Sequence, residues 1–202
     1  RSVSSRKPRN VNFTLPPIDE SFVYGYLNSV SESKATGLDN ISSKLIRVSA
    51  DIIYPHIVNI CNSSIKTGIF PEQWKQARTT PIFKNGSPNE LGNYRPISVL
   101  PILSKVLERH IHNNLYKYLS YWNLIADKQS GFRNGHSCET MLLKLTDFLL
   151  NQIDQGNLCG AVMIDLRKAF DLVDHQLLLT KLERNDNKSL TQVNNQVIAK
   201  HI

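Results

Sequence analysis

Two short runs rich in β-branched and aromatic residues, Thr79–Phe83 and Tyr94–Leu100, flank a stretch of turn-forming residues that opens with an Asn-Gly pair. Two β-prone runs around such a turn predict an antiparallel hairpin. Pro81 and Pro96 lie inside the runs, and because proline has no N–H to donate, it is confined to edge strands. The hairpin is therefore expected to be small and exposed, and the chain must build its core from other elements.

The segments on either side of the hairpin have the periodicity of helices. One helix is predicted to start at Asp39 and a second has Pro55 in its first turn and Gly68 just past its end. A long amphipathic helix follows Pro101, and Ser137 is expected to cap another. With the apolar run 161–164 as a further strand, the predicted fold class is α+β.

Composition narrows the classes of function. The net charge is +7, and residues 151–202 hold as many acids as bases, so the excess lies in the first 150 residues. A basic surface binds polyanions by neutralising phosphates, although an ordinary solvated surface explains the charge equally well.

No apolar run approaches the roughly 20 residues of a membrane span, so no membrane partner is expected. The three cysteines are scattered and indicate neither a disulfide framework nor a zinc site.

Asp165 directly follows the apolar run 161–164 in the sequence "AVMIDLRKAFDLVDH". A carboxylate at the end of a buried strand is costly unless a cation or hydrogen bonds compensate it. Asp165 is thus a candidate ligand for Mg²⁺, which prefers oxygen donors. The alternative is a helix-capping aspartate at a strand-to-helix turn.

Three other side chains have two interpretations each. The hairpin places Lys84 at the end of one strand and Arg95 near the start of the other, so both cations face each other near its tip. Arginine and lysine together suit a triphosphate, but each is also an ordinary surface cation. Phe170 either packs beneath a bound nucleotide or belongs to the core.

Three stretches occur in a characteristic order: "TTPIFKNGSPNELGNYRPISVLPILSKVLER", "QSGFRNGHS" and "VMIDLRKAFDLVDH". Together they closely resemble the reverse transcriptase of non-LTR (LINE-type, Jockey-like) retrotransposons. "KATGLDNISSKLI" is similar to the segment upstream of the fingers in that family, and the resemblance covers residues 34 to 184. It implies fingers at 34–157 and the start of the palm, with its first strand and helix, at 158–184. From its polar and basic composition, 1–33 is expected to be a mobile basic lead-in and upstream segment. Residues 185–202 depart from the family pattern and are expected to form a divergent polar tail.

The resemblance also implies roles for single residues. Lys84 and Arg95 hold the phosphates of the incoming nucleotide, Asp165 is the first catalytic metal ligand, and Phe170 screens the sugar 2′ position. The implied cofactor is Mg²⁺, and the implied partners are an RNA template, a DNA primer and deoxynucleoside triphosphates, in the cytoplasm and nucleus. The implied template contacts are Gly37, Asp39, Gly131, Phe132, Arg133 and Ser137.

Polymerases of this kind use two metal ions about 4 Å apart, which one aspartate cannot hold. The family supplies further carboxylates from a Tyr-x-Asp-Asp hairpin, and this chain has no two adjacent aspartates. The 202 residues alone are therefore expected to be inactive. An alternative is a non-enzymatic RNA-binding module that uses the basic fingers surface. A third is a chain that aggregates through unpaired strand edges.

Overall fold

The computed structural model describes residues 13–166, 169–170 and 172–185. They form two compact units. The larger unit holds 13–118 and 173–185, and the smaller holds the described residues between 119 and 172. The mixed α+β class is confirmed. The elements are α1 (Glu20–Ser29), α2 (Ser43–Val48), α3 (Ala50–Thr67), β1 (Arg78–Phe83), β2 (Tyr94–Val99), α4 (Ser104–Tyr121), α5 (Cys138–Asp154) and α6 (His175–Asn185).

The core of the larger unit lies between α1, α3, α4 and the segment after α3. Phe70 and Trp74 follow α3, and their rings meet edge to face with centroids 6.0 Å apart. Burying one such aliphatic or aromatic side chain contributes about 1.5–3 kcal/mol. In the described part of the chain, no helix is long and apolar enough to cross a membrane. The side chains buried most completely are Phe70, Leu27, Ile46, Ile102, Leu107, Val23, Val106 and Cys61.

The segment before α1 is docked on the larger unit from residue 13 onward. Phe13 is buried and meets the Tyr118 ring edge to face, at 5.3 Å between centroids. The Asn62 side chain accepts a hydrogen bond from Ile18 N at 2.7 Å and donates one to Ile18 O at 3.2 Å. The predicted mobile lead-in therefore includes residues that pack, and its first 12 residues lie outside the described part of the chain.

The helix predicted to start at Asp39 begins later. The Asp39 carboxylate accepts a hydrogen bond from Ile41 N at 3.3 Å, and Asn40 has a left-handed φ of 55°. The chain thus turns here, and the cap of α2 is Ser42, whose hydroxyl accepts from Leu45 N at 3.2 Å. The turn between 39 and 41 overrides the periodicity that had predicted helix from residue 39.

The boundary between the next two helices also differs from the prediction. α2 ends at Val48 and α3 begins at Ala50, so Pro55 lies inside α3 rather than in its first turn. The carbonyl that Pro55 leaves without its usual helical donor belongs to Asp51, an exposed residue in the first turn, so the missing bond falls near the start of the helix. Gly68 ends α3 in the left-handed conformation, with φ of 71°, as predicted.

The hairpin is present as predicted. β1 and β2 are antiparallel with Ile82 opposite Arg95 and Pro81 opposite Pro96. Both strands are edge strands, exposed along most of their length. The prolines therefore occur where an edge tolerates them.

The smaller unit corrects one prediction and confirms another. Ser137 caps α5 as expected, but no residue of α5 is buried in the described structure, and its apolar stripe is mostly exposed. Residues 161–166 are exposed and form no strand; Val162, for example, is 88 % exposed. A strand needs a hydrogen-bonding neighbour, and among the described residues none pairs with this segment. The predicted first strand of the palm is therefore wrong for this structure.

The predicted helix after this segment is present as α6. The Asp174 carboxylate accepts a hydrogen bond from Leu177 N at 2.9 Å, which satisfies one of the free amides of the first turn. Leu179 of this helix is buried. The predicted polar tail lies, from residue 186, outside the described residues.

Candidate functional site

The candidate phosphate-binding cations lie at the end of the hairpin. Lys84 directly follows β1, and its N–H donates to Asn93 O at 2.8 Å, which continues the ladder by one pair. Because Ile82 is opposite Arg95 and side chains alternate along a strand, Lys84 and Arg95 fall on one face, at diagonal positions about 7–8 Å apart. Both are exposed, and within the described chain neither forms an ion pair. Their charges therefore remain available to an anion.

The loop that joins the two strands is held by its own side chains. The Asn93 amide donates to Ser87 O at 2.9 Å and to Glu90 Oε2 at 3.1 Å, and the Tyr94 hydroxyl donates to Pro88 O at 2.9 Å. Sequence reasoning missed Asn93 and Tyr94. The signal was available, since both fall in the run "GNYRP", and asparagine commonly bonds to turn backbone.

The candidate template residues Gly37 and Asp39 lie at the opposite end of the hairpin from Lys84. A Cβ atom on Gly37 would lie 2.7 Å from Pro101 N, just past β2. The Arg78 guanidinium, at the start of β1, donates to Asn40 Oδ1 at 3.0 Å. Six residues at about 3.3 Å each separate Arg78 from Lys84. The segment 37–40 is thus fixed to the base of the hairpin, about 20 Å along the strand from its cationic end.

In the smaller unit, two of the candidate template residues hold the loop together. The Arg133 guanidinium donates to Ala126 O at 3.3 Å and to Gln129 O at 3.4 Å. Ser137 accepts from Thr140 N at 3.2 Å and donates its own N–H to Thr140 Oγ1 at 2.8 Å, a reciprocal capping box. These two side chains therefore have structural partners in the chain itself.

Phe132 and Phe170 are brought together in the same unit. Their rings meet edge to face with centroids 5.9 Å apart, an arrangement that aromatic pairs favour. Both are exposed, Phe132 by 89 % and Phe170 by 58 %, and Phe132 has a positive φ of 57°. Gly131, next to it, has open space where a Cβ would be. Phe170 is thus not a core residue here, and its neighbour is a residue of the loop.

His136 is a residue of this loop that sequence reasoning left without a role. Its Nδ1 lies 3.1 Å from Ser130 Oγ. Partial burial, and then the charges of Lys144 and Arg133, lower the pKa of His136 below its usual range. The imidazole is accordingly neutral near pH 7 and forms part of the loop's internal contacts.

Asp165 is exposed and lies in the extended segment 161–166. Among the described residues, no three His, Cys, Asp or Glu side chains come together as a metal site would need. Arg167, Lys168 and Asp171, the charged neighbours of Asp165, lie outside the described residues. The described carboxylates therefore do not fit a site for two magnesium ions.

Comparison with known proteins identifies the class to which these motifs belong. The profile of the family described as reverse transcriptase (RNA-dependent DNA polymerase) matches residues 82–200. The chain belongs to the reverse transcriptase family. The resemblance to the Jockey-like, non-LTR members is confirmed by individual relatives.

Three relatives from Drosophila melanogaster illustrate this. The chain is 33 % identical to the probable RNA-directed DNA polymerase from transposon BS, over 90 % of this chain and 20 % of the relative. It is 31 % identical to the RNA-directed DNA polymerase from mobile element jockey, over 88 % of this chain and 19 % of the relative. It is 30 % identical to the probable RNA-directed DNA polymerase from transposon X-element, over 86 % of this chain and 19 % of the relative. The chain thus spans about a fifth of the length of the curated relatives it matches.

Proposed function

We propose that this chain is the fingers and the first part of the palm of an RNA-directed DNA polymerase from a non-LTR retrotransposon. The observation that carries the proposal is the hairpin, which presents Lys84 and Arg95 on one face near its tip. Two cations that have no carboxylate partner among the described residues, at the end of a loop fixed by Asn93, suit the phosphates of an incoming deoxynucleoside triphosphate.

The other roles follow the same proposal. The segment with Gly37 and Asp39 and the loop with Gly131 and Phe132 contact template RNA. Phe170 screens the sugar 2′ position, and its contact with Phe132 places both aromatic side chains in one cluster.

We further propose that the 202 residues do not polymerise DNA by themselves. Asp165 is the first metal ligand in this scheme, and the described residues provide no cluster of carboxylates that would complete a pair of Mg²⁺ sites. Two-metal catalysis requires both ions to stabilise the attacking and leaving oxygens. The purified chain should therefore give no primer extension on an RNA template with Mg²⁺ and all four deoxynucleotides.

The assay needs two controls. An active reverse transcriptase on the same primer and template shows that the substrate is competent. The Asp165→Ala variant distinguishes nucleotide incorporation by this chain from incorporation by a contaminating polymerase. Incorporation by the purified chain that disappears in Asp165→Ala would contradict the proposed inactivity, whereas incorporation that survives the substitution would identify a contaminant.

A second candidate function is RNA binding without catalysis. It is favoured by the net charge of +7 and by the exposed hairpin cations, which form no ion pair within the described part of the chain. We expect salt-sensitive RNA retention on a filter that decreases in Lys84→Ala and in Arg95→Ala. Lys66→Ala, which removes an exposed cation from the last turn of α3, is the matched control. Equal loss in all three variants would show only a general charge effect.

A further inference from the structure

A second basic feature lies in the larger unit, on residues to which the family resemblance assigns no role. A groove of about 490 Å³ lies between α1 and α4, and we call it the α1–α4 groove. Gly25 and Tyr26 line it from α1, Lys34 from the segment after α1, and Arg109 and Asn113 from α4. Arg109 and Asn113 are one helical turn apart, so their side chains lie on one face of α4.

The groove is positively charged. Lys34 and Arg109 line it, and no carboxylate does. In the part of the chain that the structure describes, neither cation has an ion-pair partner. Glu108 is the nearby acid, and its carboxylate accepts a hydrogen bond from Ser104 Oγ at 3.0 Å. The two cations therefore have no compensating charge in the groove itself.

The groove also contains neutral donors. The Asn113 Oδ1 lies 3.4 Å from His112 Nδ1, which leaves the amide nitrogen of Asn113 to donate elsewhere. Partial burial raises the pKa of Tyr26, with opposing contributions from Arg109 and Glu108, so its hydroxyl keeps its proton at neutral pH. Two cations, an amide and a phenol that converge on one groove form a set of hydrogen-bond donors suited to an anionic oxygen.

Gly25 lies on the open wall of the groove. It lies inside α1, where glycine is less favourable than alanine by about 0.8–1 kcal/mol. A Cβ atom at this position would meet nothing within 4 Å. The glycine is thus required neither by a close contact nor by a left-handed backbone, and the position has room for a larger side chain that faces the groove.

We propose that the α1–α4 groove binds a phosphodiester of single-stranded nucleic acid. The proposal rests on the proposed function, in that the chain is taken to bind RNA, and adds a contact through residues to which the family resemblance assigns no role. A groove of 490 Å³ is larger than a phosphate ion needs, and its two cations, Lys34 and Arg109, are exposed, as suits one nucleotide of a continuous strand. Neutralisation of backbone phosphates by lysine and arginine supplies the affinity.

Gly25→Glu against Gly25→Gln is the decisive pair of variants. The two side chains have nearly the same shape and differ in charge, and both should keep α1 folded because the position is open. The measurement is the fluorescence anisotropy of a short labelled oligouridylate, titrated with the full chain at several salt concentrations. Far-UV circular dichroism of both variants checks the fold.

We expect Gly25→Gln to bind like the unmodified chain and Gly25→Glu to bind about tenfold or more weakly at about 0.1 M salt, the loss from removing two phosphate contacts. Lys34→Ala with Arg109→Ala should reduce the slope of log affinity against log salt by about 1.4, at about 0.7 per contact on a single strand. Equal affinity of Gly25→Glu and Gly25→Gln would overturn the proposal. If Lys84→Ala then still weakened binding, the proposed function would stand without this groove.

Two further outcomes are informative. Inorganic phosphate that displaces the oligonucleotide at equal phosphate concentration would show a small-anion site and overturn the assignment to a nucleic-acid strand. A complete lack of RNA binding by the unmodified chain would overturn both this inference and RNA binding by the hairpin.

Discussion

Substituting Gly37 by alanine should destabilise the larger unit through a single added methyl group. The Cβ would lie 2.7 Å from Pro101 N, 2.9 Å from Pro101 Cα and 3.0 Å from Leu100 C. All three atoms are backbone, so no side-chain rotation relieves the contact. Either the segment around Gly37 or the chain after β2 must move. Inserting a methyl group into a tightly packed site costs about 1–3 kcal/mol.

The expected shift is large enough to measure. With a urea m-value of about 2 kcal/mol/M, a loss of about 2 kcal/mol lowers the unfolding midpoint by about 1 M. The chain has two tryptophans, and Trp74 is buried in the larger unit. In a Trp122→Phe background, Trp74 fluorescence therefore reports the unfolding of the unit that contains Gly37.

Gly25→Ala is the matched control because it makes the same chemical change at an open helical position. It should stabilise the unit by about 0.5–1 kcal/mol through helix propensity. The reasoning is refuted if Gly37→Ala unfolds at the same urea concentration as the parent with an unchanged m-value. It is also refuted if both substitutions lower the midpoint equally, since the contact at Pro101 would then explain nothing.

Three other perturbations test the packing. Burial raises the pKa of the Cys61 thiol to about 12 from an ordinary 9.0, so between these pH values unfolding releases a proton. The free energy of unfolding should therefore fall by about 1.4 kcal/mol per pH unit as the pH rises through that window. Urea midpoints measured at several pH values should show this decrease in the parent chain and not in Cys61→Ala. Ser137→Ala should cost about 0.5–2 kcal/mol by removing the cap of α5, with Ser137→Asp restoring most of it in thermal melts followed by circular dichroism. Phe70→Ala should cost about 3–5 kcal/mol, and urea unfolding as cooperative and as stable as in the parent would contradict its place in the core.

Local signals in the sequence predicted the hairpin well. The Asn-Gly turn and the two β-prone runs place the strands within one residue of β1 and β2. Lys84 and Arg95 were predicted to face each other near the tip, and the observed register, with Ile82 opposite Arg95, places them on one face. The Ser137 cap was equally predictable, because a capping interaction lies within four residues.

Features that depend on distant partners were not predictable in the same way. The run 161–164 has the composition of a buried strand, but composition does not supply the neighbour with which a strand must pair. The stripe on α5 has helical periodicity and yet is exposed in the described structure. Similarly, periodicity alone did not reveal that Asn40 turns the chain before α2. The predicted domain boundaries at 33, 157 and 184 stay predictions.

The residues of the candidate site show the same difference between local features and features that depend on distant partners. Motifs identified which residues to consider, but hydrogen bonds decided which side chains remain available. Arg133 and Ser137 are engaged within their own loop, whereas Phe132 is exposed against Phe170. The α1–α4 groove could not be predicted, since Lys34 and Arg109 are 75 residues apart in the sequence.

The prolines that face each other across the hairpin have a consequence for association between copies of the chain. Because Lys84 N bonds to Asn93 O, alternation makes Pro81 and Pro96 a pair whose nitrogens point outward, away from the partner strand. The hairpin therefore keeps the hydrogen bonds between its two strands, while the outer edge of each strand lacks one N–H donor near its middle. An incoming strand would find an interrupted row of amides on either side, which disfavours growth into a larger sheet or fibril.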